Sequence, residues 1–377
     1  MRTRRGCLIV AIAALAVVIA GPARGAVPHV QARAYAIVNA DTGEVLAQRN
    51  ASAPLPIASI TKLMTVLVTL EHARVDDVVS VPRDAADVGE STINLRVGER
   101  LTVRDLLKGA LIQSANDAAD ALADYVGHGD ERAFVAMMNA EARRLGLRGT
   151  HFVRPDGLDA PGHVSTARDV TRLAEVVMRR PVVRAIVREQ TATIAGGRRL
   201  HTWNDLLGVF RGLVGVKTGH TAAAGWCQVA EVRRGGLDLY ATILGGPTRD
   251  RRNADLAALL RWGLSVERPV WIVAPGRVYV RAAAGYGRGA VALIAARPVA
   301  RAVRVDRPLV ERVVAPTALS LPVRRGQHLG DVRVYSGGRL VAREPLVAAR
   351  SVAKPGFAGR LGFYSRRTLS RLGGWFR

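Results

Sequence analysis

The hexapeptide IASITK, residues 57–62, precedes the apolar run LMTVLVTL, residues 63–70, and two prolines, Pro54 and Pro56, stand just before it. Proline is tolerated in the first turn of a helix, where its missing N–H would have no partner anyway. The pattern therefore predicts a helix over residues 56–73. Ser59 would lie in its first turn, and Lys62, three residues further along, would lie on the same face.

A hydroxyl and an amine at this spacing form a workable nucleophile and base. The helix dipole favours an alkoxide that develops on Ser59, and a buried Lys62 can lose its proton near neutral pH and then accept the hydroxyl proton. The alternative is a chance match, because Ser351 and Lys354 have the same spacing in a stretch that we expect at the surface. However, only four of the 55 basic residues are lysines, and arginine cannot act as a base.

A second polar segment, QSAND at residues 113–117, lies between a helix predicted over residues 102–112 and an alanine-rich helix over residues 118–125. Its plain interpretation is a helix N-cap, where Ser and Asn are favoured. The functional interpretation is that Ser114 and Asn116 face a cleft. Ser114 would then relay a proton to a leaving amine, and Asn116 would hold a substrate amide and the nearby lysine.

A third polar segment, KTGH at residues 217–220, follows an apolar stretch and is predicted at the end of a strand. Strand patterns over residues 224–232 and 237–244 come next, so the three predict an antiparallel meander. Lys217 would supply positive charge, Thr218 a hydrogen bond to a carboxylate, and Gly219 room for a substrate backbone. The alternative is an edge strand that lysine keeps soluble.

The composition excludes several kinds of function. The formal net charge is +24, but no basic block interleaved with aromatic residues stands out, so we expect no nucleic-acid binding. An arginine-rich surface suits an anionic wall polymer or an acidic membrane, although a GC-rich genome would give the same bias. There is no HExxH motif and no histidine pair at ligand spacing, so we expect no metal and no cofactor, with His163 a structural hydrogen-bonding residue.

The first residues predict export. Arg2, Arg4 and Arg5 precede an apolar run over residues 8–20, and small residues follow around residues 23–26, which is the pattern of a signal peptide over residues 1–25. The apolar run is too short for a comfortable membrane span. Removal of this segment, which contains Cys7, leaves Cys227 as the mature cysteine, so we expect no intrachain disulfide.

The residue composition and hydrophobic periodicity along the chain predict three further regions. They are a catalytic domain over residues 30–265, a small all-β domain over residues 270–352, and an amphipathic helix over residues 357–377 that lies on a membrane surface. The alternative for the last region is a frayed basic tail. The apolar residues on one side of its helical wheel are Leu361, Tyr364, Leu369, Leu372, Trp375 and Phe376, and the arginines on the other are Arg360, Arg366, Arg367, Arg371 and Arg377.

The three polar segments together are far more specific than any one of them. In this order they are typical of penicillin-binding proteins and class A β-lactamases. The flanking sequences SANDAA (114–119), MN (138–139), LGL (145–147), GL (157–158), KTGHT (217–221) and AG (224–225) resemble the serine D-alanyl-D-alanine carboxypeptidases, strongly over about residues 30–265. The resemblance implies an α+β transpeptidase fold, an antiparallel sheet with helices and a helical subdomain, followed by a small all-β domain.

The resemblance also implies a reaction. Ser59 would attack the carbonyl between the last two D-alanines of a peptidoglycan pentapeptide stem, Lys62 would take its proton, and Ser114 would pass one to the departing D-alanine. Lys217 and Thr218 would hold the substrate carboxylate. β-Lactams would be covalent inhibitors, and the enzyme would be attached peripherally at the periplasmic, extracytoplasmic face of the membrane. The backbone N–H groups of Ser59 and His220 match the family's oxyanion hole, and Arg252 aligns with a family arginine near the carboxylate.

Two sequence features differ from the patterns of related enzymes, one from the carboxypeptidase family and one from the class A β-lactamases. Ala115 stands where the family often has glycine. No Glu-x-x-x-Asn signature, which a class A β-lactamase would use for deacylation, follows Asn116, and the nearest carboxylate in the loop at residues 151–158 is Asp156. We therefore expect penicillin to acylate Ser59 and to leave it slowly. The rival functions are a D,D-endopeptidase acting on cross-links, a non-catalytic β-lactam sensor or scaffold, and a β-lactamase.

Overall fold

The structure is a computed structural model that describes residues 10–17, 26–304 and 307–372. It divides into two compact units. One is residues 24–266, and the other starts at Glu267 and includes the N-terminal strand. Residues 1–9 and 18–25 of the expected signal peptide and residues 373–377 of the expected terminal helix lie outside the described residues.

Before residue 267, the strands outside the main sheet have three residues each, except for the N-terminal strand, which has eight. The strands of this part of the chain are β1 (Val10–Val17), β2 (Ala34–Asn39), β3 (Val45–Arg49), β4 (Val78–Ser80), β5 (Arg100–Thr102), β6 (Thr191–Thr193), β7 (Arg199–His201), β8 (Leu213–Thr221), β9 (Gly225–Arg234) and β10 (Leu237–Gly246). The helices of the same part of the chain are α1 (Lys62–His72), α2 (Arg83–Ala86), α3 (Val103–Lys108), α4 (Asn116–Gly127), α5 (Glu131–Leu145), α6 (Ala167–Val177), α7 (Pro181–Ile186) and α8 (Arg249–Val266).

A five-stranded antiparallel sheet in the order β3-β2-β10-β9-β8 is the centre of the first unit. Alternate side chains of a strand point to opposite faces. In β2, Tyr35 and Ile37 pack with α8 on one face, whereas Ala34 and Ala36 belong to the core shared with the helices of the other face. The predicted meander and the α+β fold class are thus confirmed.

The helical subdomain departs from the predicted boundaries in an informative way. The expected Thr102 cap is present, because its side chain accepts the backbone N–H of Asp105. The helix then widens into a π-helical turn at Gly109–Gln113, and the next helix begins at Asn116. The predicted helix over residues 56–73 also divides, into a 3₁₀ turn at Ala58–Thr61 and α1.

The second unit is a β structure followed by one helix. Its strands are β11 (Glu267–Val273), β12 (Val278–Ala284), β13 (Ala290–Ala295), β14 (Val299–Arg304), β15 (Leu309–Pro316), β16 (Ala318–Leu319), β17 (His328–Ser336) and β18 (Arg339–Ala348), and its helix is α9 (Phe357–Leu372). A seven-stranded sheet has the order β1-β15-β17-β18-β13-β12-β16, and β11 pairs with β14. Strand β1 runs antiparallel to β15 along its whole length.

An aromatic cluster joins α9 to this unit. The Phe363 and Tyr364 rings make edge contacts with the Tyr286 ring, at centroid distances of 5.8 and 6.2 Å. Phe357 and Leu361 stay exposed. Within the described part of the chain, no helix combines the length and the apolar character that a membrane crossing needs.

Cys227 lies in the interior of β9 and is fully buried. Its sulfur accepts the N–H of Gly245 at 3.4 Å and lies 3.6 Å from the carbonyl oxygen of Ala224. Burial raises the pKa of the thiol to about 11.

A substitution at Gly263 tests how closely α8 packs on the main sheet. A β-carbon at this position would lie 2.5 Å from Cδ1 of Ile37 and 3.0 Å from Cδ1 of Leu239. Overpacking of this kind costs about 1–3 kcal/mol, which outweighs the gain of about 1 kcal/mol from alanine in a helix. We therefore expect Gly263→Ala to lower the free energy of unfolding by about 1 kcal/mol in urea denaturation.

The control for this variant is Gly362→Ala in α9, where an added β-carbon would meet no atom within 4 Å. It should leave the free energy of unfolding unchanged or raise it slightly. Equal urea midpoints for wild type and Gly263→Ala would show that the helix does not press on the sheet as described.

Candidate functional site

A cleft of about 250 Å³ lies in the first unit. Seven of the nine residues predicted from the sequence line it. The other two are Lys62 of the first polar segment and Lys217 of the third, which are buried and hydrogen-bonded to cleft residues. The predicted residues in the lining are Ser59, Ser114, Asn116, Thr218, Gly219, His220 and Arg252. The structure therefore brings all three polar segments of the sequence together.

The turn that carries Ser59 is tighter than the predicted α-helix. Ala58 has a left-handed backbone, with φ of 50°, and Ser59 follows it in the 3₁₀ turn, while Lys62 is the first residue of α1. In a 3₁₀ helix the side chains of residues i and i+3 eclipse one another. This geometry places the Nζ of Lys62 2.9 Å from the Oγ of Ser59.

The amine of Lys62 is fully buried and surrounded by oxygen atoms. It donates to Oδ1 of Asn116 at 2.6 Å and to the carbonyl oxygen of Asp156 at 2.6 Å, in addition to Ser59. Burial lowers the pKa of Lys62 to about 8, although the charges of Asp156 and Asp120 oppose the shift. The amine can therefore exchange a proton with Ser59 close to neutral pH.

The segment around Ser114 is not a helix cap. Ser114 ends the π-helical turn with a left-handed backbone, φ 65°, and Ala115 occupies the N-cap position of α4 without a side-chain cap bond. The N-cap interpretation is therefore wrong. The side chains are free for other bonds: Ser114 accepts from Lys217, and Asn116 bonds to Lys62.

The segment KTGH at residues 217–220 forms the C-terminal part of β8, as predicted, and Lys217 lies at the middle of the strand. The edge-strand interpretation is right about position, because β8 is the last strand of the five-stranded sheet. It is wrong about a solubilising role, because the side chain of Lys217 is only 2% exposed. Its Nζ donates to Oγ of Ser114 at 2.7 Å and to the carbonyl oxygen of Thr218 at 2.8 Å. Burial, together with the positive charge of Lys62, lowers the pKa of Lys217 well below its usual value.

Gly219 lets β8 lie against the turn that carries Ser59. A β-carbon at Gly219 would come within 2.9 Å of the carbonyl oxygen of Ile57 and 3.1 Å of the backbone nitrogen of Ser59. Both are backbone atoms that cannot move aside without moving the turn. Glycine is therefore needed here for packing within the protein.

Arg252 is almost fully buried on the far wall of the cleft. Its guanidinium bonds to Oδ1 of Asn253, pairs with Asp205 at 3.1 Å and lies over the Trp226 ring, while the His220 ring stacks on the same indole at 4.0 Å. Burial lowers the pKa of Arg252 to about 10, so it remains a cation at neutral pH.

The loop before Gly157 supplies a backbone carbonyl and no free carboxylate. The Asp156 side chain is fully buried and is held by Arg154 in two hydrogen bonds of 2.5 and 2.6 Å and by the N–H of Leu158. Its carboxylate is thus occupied, and its backbone oxygen is the group that holds Lys62.

His163 has the structural role expected from the sequence. Its Nε2 bonds to Oγ1 of Thr61 at 2.8 Å, and its Nδ1 accepts the N–H of Val153 at 3.0 Å. Burial lowers the pKa of His163 to about 4. Over the described residues, no group of three or more His, Cys, Asp or Glu side chains is arranged to hold a metal ion.

Several residues in or next to the cleft have no recognisable signal in the sequence. Trp203 and Arg249 line the cleft, and Asp205 pairs with Arg249 at 2.8 Å as well as with Arg252. Asp120 lies four residues after Asn116 on the same face of α4. In the sequence it is one of three aspartates in an alanine-rich helix, and nothing in the pattern distinguishes it from Asp117 and Asp124.

Asp120 is close enough to Lys62 to influence it. Its Oδ1 is buried with no hydrogen-bond partner within the part of the chain that is described. Burial first, and the charge of Asp156 second, raise the pKa of Asp120 to about 8, while the charge of Lys62 opposes the shift. Lys62 and Asp120 thus titrate in the same pH range and as an interacting pair.

These observations define a class of enzyme: a serine acyl-transferring enzyme of the penicillin-binding type, with one buried lysine next to a serine in the cleft and a second lysine on the edge strand. The comparisons with known proteins agree. A family model described as D-alanyl-D-alanine carboxypeptidase, peptidase S11, matches residues 22–248. The D-alanyl-D-alanine carboxypeptidase DacC of Escherichia coli K12 is 33% identical over 371 residues, 93% of this chain and 91% of that protein.

Two solved structures share the fold. Penicillin binding protein 5 from Haemophilus influenzae is 26% identical with a TM-score of 0.68, covering 87% of this chain and 99% of that one. The Streptomyces K15 DD-transpeptidase is 31% identical with a TM-score of 0.61, covering 64% and 100%. The chain belongs to the D-alanyl-D-alanine carboxypeptidase family and is a serine-type D-Ala-D-Ala carboxypeptidase, a hydrolase.

The pH dependence of acylation tests the pairing of Lys62 with Asp120. Only the neutral amine accepts a proton, so the acylation rate with a fluorescent penicillin should rise as the pH passes through about 8. A nearby carboxylate raises the pKa of a lysine. We therefore expect Asp120→Asn to move the midpoint of this rise to lower pH.

The matched control is Asp124→Asn, one turn further along α4, which should leave the midpoint in place. A midpoint that stays constant in Asp120→Asn, or moves to higher pH, would contradict the electrostatic role of Asp120.

Proposed function

We propose that Ser59 is the nucleophile and Lys62 its general base in the removal of the terminal D-alanine from peptidoglycan pentapeptide stems. The observation that carries the proposal is the buried amine of Lys62, 2.9 Å from the Ser59 hydroxyl and with its pKa lowered to about 8. The amine takes the hydroxyl proton as the serine oxygen attacks the carbonyl between the last two D-alanines, which forms an acyl-enzyme and releases D-alanine.

The leaving amine needs a proton, and Ser114 is the group that delivers it. Its hydroxyl lines the cleft and is hydrogen-bonded to Lys217 at 2.7 Å. Lys217 is itself buried beside the positive charges of Lys62 and Arg252, which favours its giving up a proton. A proton can therefore pass through Ser114 to the departing D-alanine without entering from solvent.

The substrate lies along the outer edge of β8. An extended peptide adds to an exposed sheet edge through backbone hydrogen bonds. Its terminal carboxylate is held by the hydroxyl of Thr218 and by the charges of Arg252 and Lys217. The backbone N–H groups of Ser59 and His220 stabilise the oxyanion of the tetrahedral intermediate.

We further propose that β-lactams acylate Ser59 and leave slowly. Fast hydrolysis requires a carboxylate that activates water next to the ester. The nearest carboxylate of the adjoining loop, Asp156, is engaged by Arg154 and by the N–H of Leu158. This supports inhibition by β-lactams over their turnover.

The test is D-alanine release from a synthetic pentapeptide stem, with fluorescent penicillin labelling measured in parallel. We expect Ser59→Ala to abolish both signals, and Lys62→Arg, which keeps the charge but cannot act as a base, to reduce both by about a thousandfold or more. The reason is that each variant removes one member of a pair that acts as a unit.

The chain offers a matched control with the same spacing. Ser351 and Lys354 are both exposed, so Ser351→Ala and Lys354→Arg should leave D-alanine release and labelling at wild-type levels. Labelling that persists in Ser59→Ala would place the nucleophile elsewhere.

We also propose a location: residues 1–25 direct export, and the enzyme works at the extracytoplasmic face with α9 lying on an anionic membrane. Three apolar residues support a membrane-facing side, because Phe357, Leu361 and Tyr364 follow helical spacing and are 77, 62 and 55% exposed. Arginines of the same helix would be attracted to acidic lipid headgroups.

Vesicle binding tests the role of α9. Burial of a large apolar side chain contributes about 1.5–3 kcal/mol, so Phe357→Glu with Leu361→Glu should weaken binding to vesicles of anionic phospholipid by more than about tenfold. The binding is measured by flotation of the mature protein with these vesicles. The control is Val209→Glu in the first unit, where Val209 is exposed to the same 77% as Phe357. Equal flotation of the double variant and wild type would exclude α9 as the anchor.

A further inference from the structure

One carboxylate in the cleft has no role in the reaction described above. The side chain of Glu90 is exposed and lines the same cleft as Ser59 and Trp203. Among the residues that the structure describes, no hydrogen bond or ion pair to this carboxylate is found. A solvent-facing anion inside a substrate cleft is available for a ligand of opposite charge.

The backbone of Glu90 is held in an unfavourable conformation. Its φ is 65°, in the left-handed region that residues other than glycine avoid. Its two neighbours are fixed by a single residue: Gly89 O accepts Nδ2 of Asn116 at 3.0 Å, and Ser91 O accepts the backbone N–H of Asn116 at 2.7 Å. Glu90 is therefore set at a fixed place next to a residue that bonds to Lys62.

Further anchors hold the loop on the other side of Glu90. The carboxylate of Asp117 accepts the backbone N–H groups of Ile93 and Leu95, at 3.0 Å each for the shorter bonds. Arg198 donates to the carbonyl of Asn94 at 3.0 Å. The loop is thus held by hydrogen bonds along most of its length, which keeps the backbone of Glu90 next to the cleft.

The charges of the cleft are unevenly balanced. Arg249 and Arg252, on the wall assigned above to the terminal carboxylate, both pair with Asp205. Over residues 10–17, 26–304 and 307–372, no counter-ion pairs with Glu90. The chain carries a formal net charge of +24, so this uncompensated anion goes against the general charge of the protein.

Trp203 supplies an apolar surface in the same cleft. Its indole N–H donates to the carbonyl of Gln113 at 2.9 Å, which fixes the ring, and the side chain is 38% exposed. An aliphatic chain that ends in an ammonium packs its methylenes on such a ring while its charged end stays at a carboxylate.

We propose that Glu90 is a specificity residue that binds the side-chain ammonium of the third residue of the peptide stem, and that Trp203 covers the methylene chain of that residue. The substrate class is therefore a stem with a diamino acid at position three whose side-chain amine is free. This inference rests on the carboxypeptidase function proposed above. The residue concerned is next to the D-alanine that becomes the acyl group, so its side chain lies within the cleft region when Ser59 is acylated.

The expected effect is modest because the site is open to solvent. Exposed ion pairs typically contribute about 0.2–1 kcal/mol, so loss of the Glu90 charge should lower kcat/KM about two- to fivefold. The effect should diminish with added salt, which screens exposed charges.

The experiment compares two pentapeptides that end in D-Ala-D-Ala and carry lysine at position three, one with a free side-chain amine and one with that amine acetylated. D-Alanine release gives kcat/KM for the mature wild-type protein, Glu90→Gln and Glu90→Gly. Glycine adopts the left-handed backbone without strain, so Glu90→Gly removes the charge and preserves the conformation of the loop. The matched control is Asp87→Asn, an exposed carboxylate in the same loop that does not line the cleft.

We expect wild type and Asp87→Asn to prefer the free amine, and both Glu90 variants to lose that preference while hydrolysing the acetylated peptide at the wild-type rate. An unchanged preference in both variants would overturn the ammonium site and leave the proposed function standing. An equal fall for both peptides would also overturn it, because it would show a structural effect of the loop. No release from either peptide by wild type would overturn the proposed function and this inference together.

Discussion

The buried amine of Lys62 is the contact on which the rest of the site depends. A charged or polar group that leaves water must find partners inside the protein, or its burial is strongly unfavourable. Here the partners come from three separate parts of the chain: the 3₁₀ turn of Ser59, helix α4 through Asn116, and the loop of Asp156. The requirement to satisfy one amine therefore ties these three segments to each other.

The backbone around Lys62 allows these segments to approach one another closely. Gly157 has a φ of 87°, and a β-carbon there would lie 2.2 Å from the carbonyl oxygen of Ala58. The loop that carries Asp156 can thus approach the turn that carries Ser59 only because residue 157 has no side chain. Gly219 has the same function on the side of β8, where the close atoms are those of Ile57 and Ser59. Two glycines on different elements allow the turn to be enclosed from both sides.

The sequence was sufficient for the contacts that depend on local spacing. The separation of Ser59 and Lys62 predicted that hydroxyl and amine would meet, and the alternating strand patterns predicted the meander. The exact backbone was not predictable, because the 3₁₀ turn and the π-helical turn before Ser114 are imposed by tertiary packing that local propensity does not encode. For the same reason the segment around Ser114, taken alone, was compatible with a Ser or Asn helix cap, whereas the structure has Ala115 at the N-cap position.

Residues that act through charge were the hardest to predict. Asp120 lies in an alanine-rich helix and Glu90 in a loop without periodicity, so neither stands out until the fold brings it near Lys62 or into the cleft. Asp205 is a similar case: its importance follows from Arg249 and Arg252, which come about 45 residues later in the chain and share its carboxylate. Such long-range pairings leave no trace in the spacing of a single sequence.

The burial of Cys227 has a consequence for its reactivity with oxidants. Oxidants and disulfides react with the thiolate, and a thiol with a pKa of about 11 is almost entirely protonated at neutral pH. The side chain is also closed off from other molecules inside β9. An oxidising compartment therefore has no reactive sulfur to attack at this position, and two copies of the enzyme cannot become cross-linked through it.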